Sequence, residues 1–223
     1  MAVFTIGSVK GGVGKTTIAT NLACWLSGKG AETLLIDADE QGSAGDFTAY
    51  REITKGETNY TLVQLTGANV RKQVEGLKTK YDHIVVDTGG RDTTSQRAAM
   101  FACDVFLAPF NPRSYDLWTV TKLCEIVEEI QATRNSPMEA FSFINRADTR
   151  SQDNRQVSEA LQTYEALQFI PWLITNRKAF ANSAGIGLAV FEMESPDIKA
   201  VNEIDNLFNH IINHASYPTT TKA

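Results

Sequence analysis

Cysteine is scarce, with only three in 223 residues (Cys24, Cys103 and Cys124). They follow no ligand spacing and sit inside apolar runs, which excludes a disulfide framework or zinc module and reads as buried thiols in a reducing compartment. An excess of positive charge is also missing: 21 Lys and Arg against 26 Asp and Glu give a formal charge of −5. A general polyanion binder is therefore excluded, and any contact with nucleic acid has to come from a local basic patch. No segment approaches the ~20 apolar residues of a membrane span, and the N-terminus lacks the basic and long apolar stretches of a signal peptide. Internal repeats and low-complexity linkers are absent as well. The expectation is a cytoplasmic protein.

What is present is enough apolar material, 43% of the chain, for one well-buried domain. Residues 1–215 are expected to form it, with 216–223 as a disordered polar tail. Short, continuous apolar runs alternate with helical periodicity. Strands are expected at Val3–Ile6, Thr33–Ile36, Ile84–Val86 (ending in Asp87), Asp104–Pro109, Phe141–Arg146 and Gln168–Trp172. Helices are expected at about 16–28, 70–77, 94–102, 117–134 and 196–215. This alternation predicts an α/β fold, a doubly wound and mostly parallel sheet with helices on both faces and a ligand at the strands' C-terminal edge. Residues 47–80 are less informative, with a polar loop expected at 54–59.

The chemistry concentrates in Ser8-Val9-Lys10-Gly11-Gly12-Val13-Gly14-Lys15-Thr16-Thr17, set between the first strand and the first helix. That is the context of a phosphate-binding loop. Its glycines let consecutive N–H groups converge on phosphate oxygens, and the helix start adds its own unpaired N–H groups. Lys15 would reach the β- and γ-phosphates, and the Thr16 hydroxyl would bind Mg²⁺. The second strand ends in Asp37-Ala38-Asp39, two carboxylates on one side of the strand end, suited to Mg²⁺–water coordination and to positioning a water, or else to an Asx-turn. A further strand ends in Asp87-Thr88-Gly89-Gly90, a Walker B arrangement in which Asp87 holds Mg²⁺ through water and the glycine pair allows a mobile loop.

The loop departs from the common phosphate-loop pattern at Val9, where a glycine is usual, and carries a second lysine, Lys10, before the glycine pair. In this it resembles the deviant Walker-A loop of the ParA/MinD family of ATPases, and the three nucleotide motifs occur in that family's order along nearly the whole chain. The closest likeness is to short partition or positioning ATPases. The resemblance implies ATP and Mg²⁺ as cofactors and ATP hydrolysis as the activity. Lys10, Gly11, Gly12, Val13, Gly14, Lys15, Thr16 and Thr17 would contact the nucleotide, Lys10 doing so across a homodimer interface. Asp39 would orient the hydrolytic water, making Asp39, Lys10 and Lys15 the catalytic set, while Thr16, Asp37 and Asp87 would serve the metal. Asn145, at the end of a strand, matches the position whose amide reads adenine, and a loop asparagine serving a turn is the alternative. Glu40 stands where the family often has proline.

By the same resemblance, an ATP-bound dimer would bind non-specific DNA on the nucleoid and respond to an adaptor protein on a cargo such as a plasmid, a chromosome or a carboxysome. Arg146, Arg150, Arg155, Arg177 and Lys178 are the candidate DNA contacts, with dispersed surface charge as the alternative. Two other readings stay open. One is a MinD-like membrane regulator, against which the neutral-to-acidic polar face of the C-terminal helix argues. The other is a metabolic ATP-dependent enzyme of the dethiobiotin-synthetase or cobyrinic-acid-amidase kind.

Overall fold

The computed structural model describes residues 1–112, 114–148, 151 and 153–214; Arg150 and the tail expected at 216–223 lie outside the described residues. Along the chain come β1 (Ala2–Ile6), α1 (Lys15–Gly28), β2 (Thr33–Ala38), α2 (Ser43–Lys55), β3 (Thr61–Gln64), α3 (Asn69–Leu77), β4 (His83–Thr88) and α4 (Thr94–Ala102). They are followed by β5 (Val105–Phe110), α5 (Ser114–Thr133), β6 (Glu139–Ala147), α6 (Asp153–Leu161), β7 (Gln168–Phe169), β8 (Ile174–Thr175), α7 (Lys178–Ala184) and α8 (Ile198–His214). The strands make one parallel sheet in the order β3-β2-β4-β1-β5-β6-β7, with β8 also pairing with β6.

The chain winds from β1 toward one edge of the sheet and returns through β5 toward the other, so the connections diverge above the C-terminal end of β1. In an open α/β sheet that crevice is where ligands bind. β1, β2 and β5 are buried along their whole lengths. Their continuous apolar runs follow from being covered on both faces. Phe4, Ile6 and Leu35 point into a layer with Ile18 and Leu22 of α1 and Ile204, Leu207 and Phe208 of α8. Val3, Leu34 and Ile36 point into the opposite layer with Val70, Met100, Val120 and Leu161. Register sets Ile6 and Asp37 on either side of Asp87, so the two buried carboxylates stand together at the strand ends.

The apolar face of α8 is buried in the core, which is the packing role expected for it. Trp25 of α1 meets the Phe208 ring edge-on at 5.7 Å and donates its indole N–H to Asp205 at 2.7 Å. Each such large apolar side chain contributes about 1.5–3 kcal/mol by leaving water.

Between residues 43 and 64 the structure differs from expectation. Helix α2 runs to Lys55, into the stretch expected to be loop, and β3 follows it. β3 is a four-residue edge strand with no fully buried position, so it carries no apolar run. The buried stripe of α2 contains Arg51, only 1% exposed, whose presence hides the helical pattern. Arg51 Nη2 donates to Glu192 Oε1 at 2.7 Å, Nε donates to the Thr58 carbonyl at 2.8 Å, and Lys55 Nζ also reaches Glu192 at 2.7 Å. These bonds fasten α2 to the turn at Val190–Glu192. The last expected strand, 168–172, is shorter than anticipated and stops at Phe169. Pro171 cannot supply a ladder N–H, and pairing resumes at Ile174.

Burial pushes the Glu192 carboxyl up, but Arg51, Lys55 and the Ala189 N–H together outweigh it and hold the group down at about 2. Because the folded value lies below that of an unfolded glutamate, its stabilisation is present above about pH 4.5 and is lost as pH falls toward 2. Glu192→Ala, which leaves the Arg51 guanidinium buried without its carboxylate, is expected to lower unfolding free energy by about 3–5 kcal/mol. Urea denaturation at neutral pH checks the loss. Repeated between pH 5 and about 2, it should show a shallower acid dependence in the variant than in the parent.

A candidate nucleotide and magnesium site

Residues 7–14 join β1 to α1 at the crevice, and three neighbouring segments hold this loop in shape. Gly14, the residue before α1, is left-handed at φ 91°, and a Cβ there would overlap the side-chain amide of Asn145. The Asn145 Nδ2 is so close because it donates to the Val13 carbonyl at 2.7 Å. Arg146, next in the chain, is itself left-handed at φ 56° and donates to the Gly12 carbonyl at 2.7 Å. From the other side Gly90 packs on the loop so tightly that a Cβ would sit 2.5 Å from the Gly11 Cα. From beneath, the buried Gln96 of α4 accepts the Ser8 N–H through Oε1 at 3.2 Å. The Ser8 hydroxyl donates in turn to the Lys10 carbonyl at 2.7 Å.

The Lys10, Gly12 and Val13 carbonyls and the Ser8 N–H are taken up by these contacts. The first turn of α1 carries no acidic residue and no side-chain cap, so its unpaired N–H groups and dipole favour an anion there. Lys15 is buried, with Nζ donating to the Lys10 carbonyl at 3.4 Å. Burial lowers its pKa, with the carboxylates of Asp87 and Asp39 acting in the opposite sense. Phosphate oxygens would give this ammonium the partners that water supplies elsewhere. The cleft holds about 640 Å³ and is lined by Gly11, Gly12, Lys15, Thr16, Asp39 and Gly89, among others.

The metal-binding expectation can be tested against Asp87. Its carboxylate is buried, Oδ2 accepts the Thr16 hydroxyl at 2.6 Å, and Oδ1 has no hydrogen-bond partner. Burial pushes the group up to about 7, with Thr16 and Lys15 opposing and Asp37 and Asp39 adding to the rise. A buried carboxylate with one idle oxygen, beside a hydroxyl and facing a phosphate cradle, fits a hard, oxygen-seeking divalent ion. Thr16 and Asp87 would hold Mg²⁺, directly or through water. When bound, such an ion neutralises charge on the phosphate oxygens.

Asp37 stands beside Asp87, but backbone groups occupy both its oxygens. Oδ1 accepts the Asp39 N–H at 3.2 Å, and Oδ2 accepts the Gly45 N–H at 2.9 Å. Its carboxylate therefore shapes the turn into α2, the Asx-type alternative, and any service to a metal would be through an intervening water. Burial raises its pKa. Asp39 is half-buried, accepts the Gln41 N–H at 3.1 Å and faces Gly89, where a Cβ would lie 3.3 Å from its Oδ1. Thus Gly11, Gly12, Gly14, Lys15, Thr16, Thr17 and Asp39 line one crevice. Asp87 adjoins it through Thr16, Asp37 stands next to Asp87, and Asn145 adjoins it through Val13, while the Lys10 side chain is not among its lining. Asn145, expected to read adenine, braces the phosphate loop through its amide.

The basic candidates do not come together. Arg146 belongs to the cleft. Arg155 pairs with Glu159 one turn along α6 at 2.7 Å. Arg177 is bound to Glu203 at 2.9 Å and to Asp197 at 3.5 Å, fixing the end of β8 to α8. Lys178 is exposed at the start of α7, and Arg150 lies outside the described residues. The sequence reading missed Arg91, Thr93 and Ser95, which line the cleft, and Gln96 beneath it. Arg91 was within reach, since it directly follows the glycine pair. Gln96 lies inside a helix and gives no local signal.

A parallel α/β sheet with a glycine-rich loop, a buried lysine and a threonine–aspartate pair at one strand edge defines a nucleotide-binding protein of the phosphate-loop class. The CobQ/CobB/MinD/ParA nucleotide-binding domain family matches residues 4–187, and the chain belongs to that family. Within it, the chain is a deviant Walker-A ATPase of the ParA/MinD kind, related to partition and positioning ATPases, and membership implies ATP binding and hydrolysis. It is 28% identical over 211 residues to the maintenance of carboxysome distribution protein A of Halothiobacillus neapolitanus, covering 93% of this chain and 94% of that protein. It is 27% identical over 200 residues to the chromosome partitioning protein ParA of Myxococcus xanthus, covering 73% and 71%. The fold matches the Cyanothece McdA(D38A)–ATP complex with a TM-score of 0.80 at 17% identity, over 100% of this chain and 99% of that one.

Asn145→Ala removes a buried bond to the phosphate loop, and the nucleotide-free protein is expected to lose about 1–3 kcal/mol of stability. A urea midpoint equal to that of the parent would show that the loop keeps its shape without the amide.

Proposed function

We propose that the protein is an ATP-dependent dimerisation switch that binds non-specific DNA and positions or partitions a cargo with the help of an adaptor protein. The observation carrying this reading is the pair of lysines flanking a single phosphate loop. Lys15, Thr16 and Asp39 already line one cleft, with Asp87 behind Thr16, so a single chain would have its own phosphate, metal and water-positioning groups. A second lysine at position 10 is then best used on the nucleotide of a second copy, which makes dimerisation depend on ATP. Asp39 orients the attacking water, and Gly89–Gly90, packed against the loop at Gly11, is the segment that responds to the terminal phosphate. Hydrolysis is slow in the isolated protein and is accelerated by the adaptor.

The DNA contact is with phosphates and is salt-sensitive. Lys178, Arg150 and Arg155 are its candidates, doubled by the dimer, Arg155 being well exposed although paired with Glu159, whereas Arg146 and Arg177 are held by the cleft and by Glu203 respectively. Relatives named for carboxysome distribution and for chromosome partitioning support a positioning role for either a protein body or a DNA cargo. A protein acting this way is cytoplasmic and associated with the nucleoid.

The deciding experiment measures binding to random-sequence DNA at low salt with ATP under conditions that block hydrolysis, with ADP as control and anionic liposomes as a parallel arm. ATP-dependent DNA binding with no liposome binding is the expected outcome, and ATP-loaded protein that ignores DNA would sink the reading. Asp39→Ala should accumulate an ATP-bound dimer in sedimentation, because phosphate and metal contacts survive while the water is lost. Lys10→Ala should bind nucleotide as a monomer to within about twofold of the parent and fail to dimerise; loss of monomer binding would place Lys10 in its own chain's site instead.

A further inference from the structure

Arg91 is the one cleft arginine that the foregoing reading leaves without a task. It is exposed, it lines the cleft together with Lys15, Thr16 and Asp39, and it has no hydrogen bond or ion pair to another described residue. The neighbouring carboxylate does not neutralise it. Asp92 is taken in a two-pronged pair by Arg97, at 2.7 and 3.1 Å, and Arg97 also reaches Glu129 at 2.8 Å. The other two cleft cations are partly engaged, Lys15 with the Lys10 carbonyl and Arg146 with the Gly12 carbonyl.

The segment that carries Arg91 is well placed. Gly90 lies on the backbone of Lys10 and Gly11, at the opening of the phosphate loop and away from the α1 start, where Gly14 and Lys15 stand. Gly89 faces the Asp39 carboxylate. On the other side the segment is pinned by Asp92–Arg97 and by Thr93, whose hydroxyl caps α4 by accepting the Gln96 N–H at 3.1 Å. Arg91 is thus an uncommitted planar cation on a short span fixed at both ends, beside the group expected to position water. A guanidinium in that setting suits two oxygens of one phosphate.

We propose that Arg91 binds the terminal phosphate of the nucleotide held by its own chain, so that the cleft distinguishes a triphosphate from a diphosphate through this side chain. The proposal rests on the ATP-switch reading and adds the residue that senses the γ-phosphate. Because the same span leads into α4 through Thr93 and Gln96, and Gln96 holds Ser8 of the phosphate loop, the contact would draw the end of β4 and the loop together when ATP is bound.

The test compares dissociation constants for Mg-ATP and Mg-ADP, using fluorescent nucleotide analogues and protein dilute enough to remain monomeric. Arg91→Ala is expected to weaken ATP about tenfold or more, the loss of a charge-assisted bond, while ADP affinity stays within about twofold. Arg91→Lys should recover part of the loss. Equal weakening of both nucleotides, or of neither, overturns the proposal, and so does a loss that emerges only at concentrations where the protein dimerises, because Arg91 would then be serving the partner's nucleotide. Melting curves without nucleotide verify the fold of each variant, and Arg91→Gln replaces the alanine variant if that one is destabilised. A parent protein that binds neither nucleotide refutes the switch reading itself, whereas a parent that prefers ATP with an equally discriminating alanine variant refutes only the role of Arg91.

Discussion

The hydrogen bond between the Thr16 hydroxyl and the buried Asp87 carboxylate links the two motifs on which the site is built. Thr16 belongs to the first turn of α1, and Asp87 to the strand that pairs with β1. Their contact fixes how far the phosphate loop rises above the sheet. The Asn145 amide on Val13 and Gly90 against Gly11 then determine its lateral position. The loop is therefore held by β6, by the end of β4 and by α4, three elements distant in sequence. A loop so held keeps its shape before any ligand arrives, and such preorganisation reduces the entropy lost on binding.

The electrostatics of the crevice are unbalanced in a way that calls for a ligand. Asp37 and Asp87 are buried side by side and both are pushed toward protonation, while the ammonium of Lys15 is pushed toward neutrality. Burying charges of both signs with incomplete partners is costly unless something else completes them. A polyphosphate supplies acceptors for Lys15 and the loop N–H groups, and a divalent cation supplies a partner for the idle oxygen of Asp87. Each needs the other, since the cation lowers the cost of placing phosphate near three carboxylates.

Much of this was legible in the residues. Continuous apolar runs located β1, β2 and β4, the last two ending in aspartate, because a parallel strand covered on both faces has no alternation to obscure. The glycine–lysine loop located the cleft. What escaped had partners far away in the chain. α2 was obscured by Arg51, an arginine that can be buried only because Glu192 lies 141 residues onward. β3 escaped because an edge strand needs little apolar surface. Asn145 was found, but its bond to Val13 could not be, since a residue type shows what an amide can do and not which carbonyl it meets. Arg177 looked like free charge until Glu203 of α8 was seen beside it.

The placement of α2 carries the argument one step past the cleft. Its first turn is held by Asp37 through the Gly45 N–H, and its last turns by Glu192 through Arg51 and Lys55. One end of the helix thus reports on the carboxylate beside the proposed metal site, and the other is fixed to the segment joining α7 to α8. A helix pinned at its far end cannot slide as a whole. A change at Asp37 would instead be taken up in the turn at Glu40–Gly42, where Gly42 is left-handed and the Gln41 N–H is held by Asp39. Glu40 and Gln41 of that turn line the same cleft as Arg91, so two of the cleft's lining segments are short spans fixed at their outer ends. A change at the phosphate would then be taken up by the few residues nearest it, the behaviour that the proposed ATP switch requires.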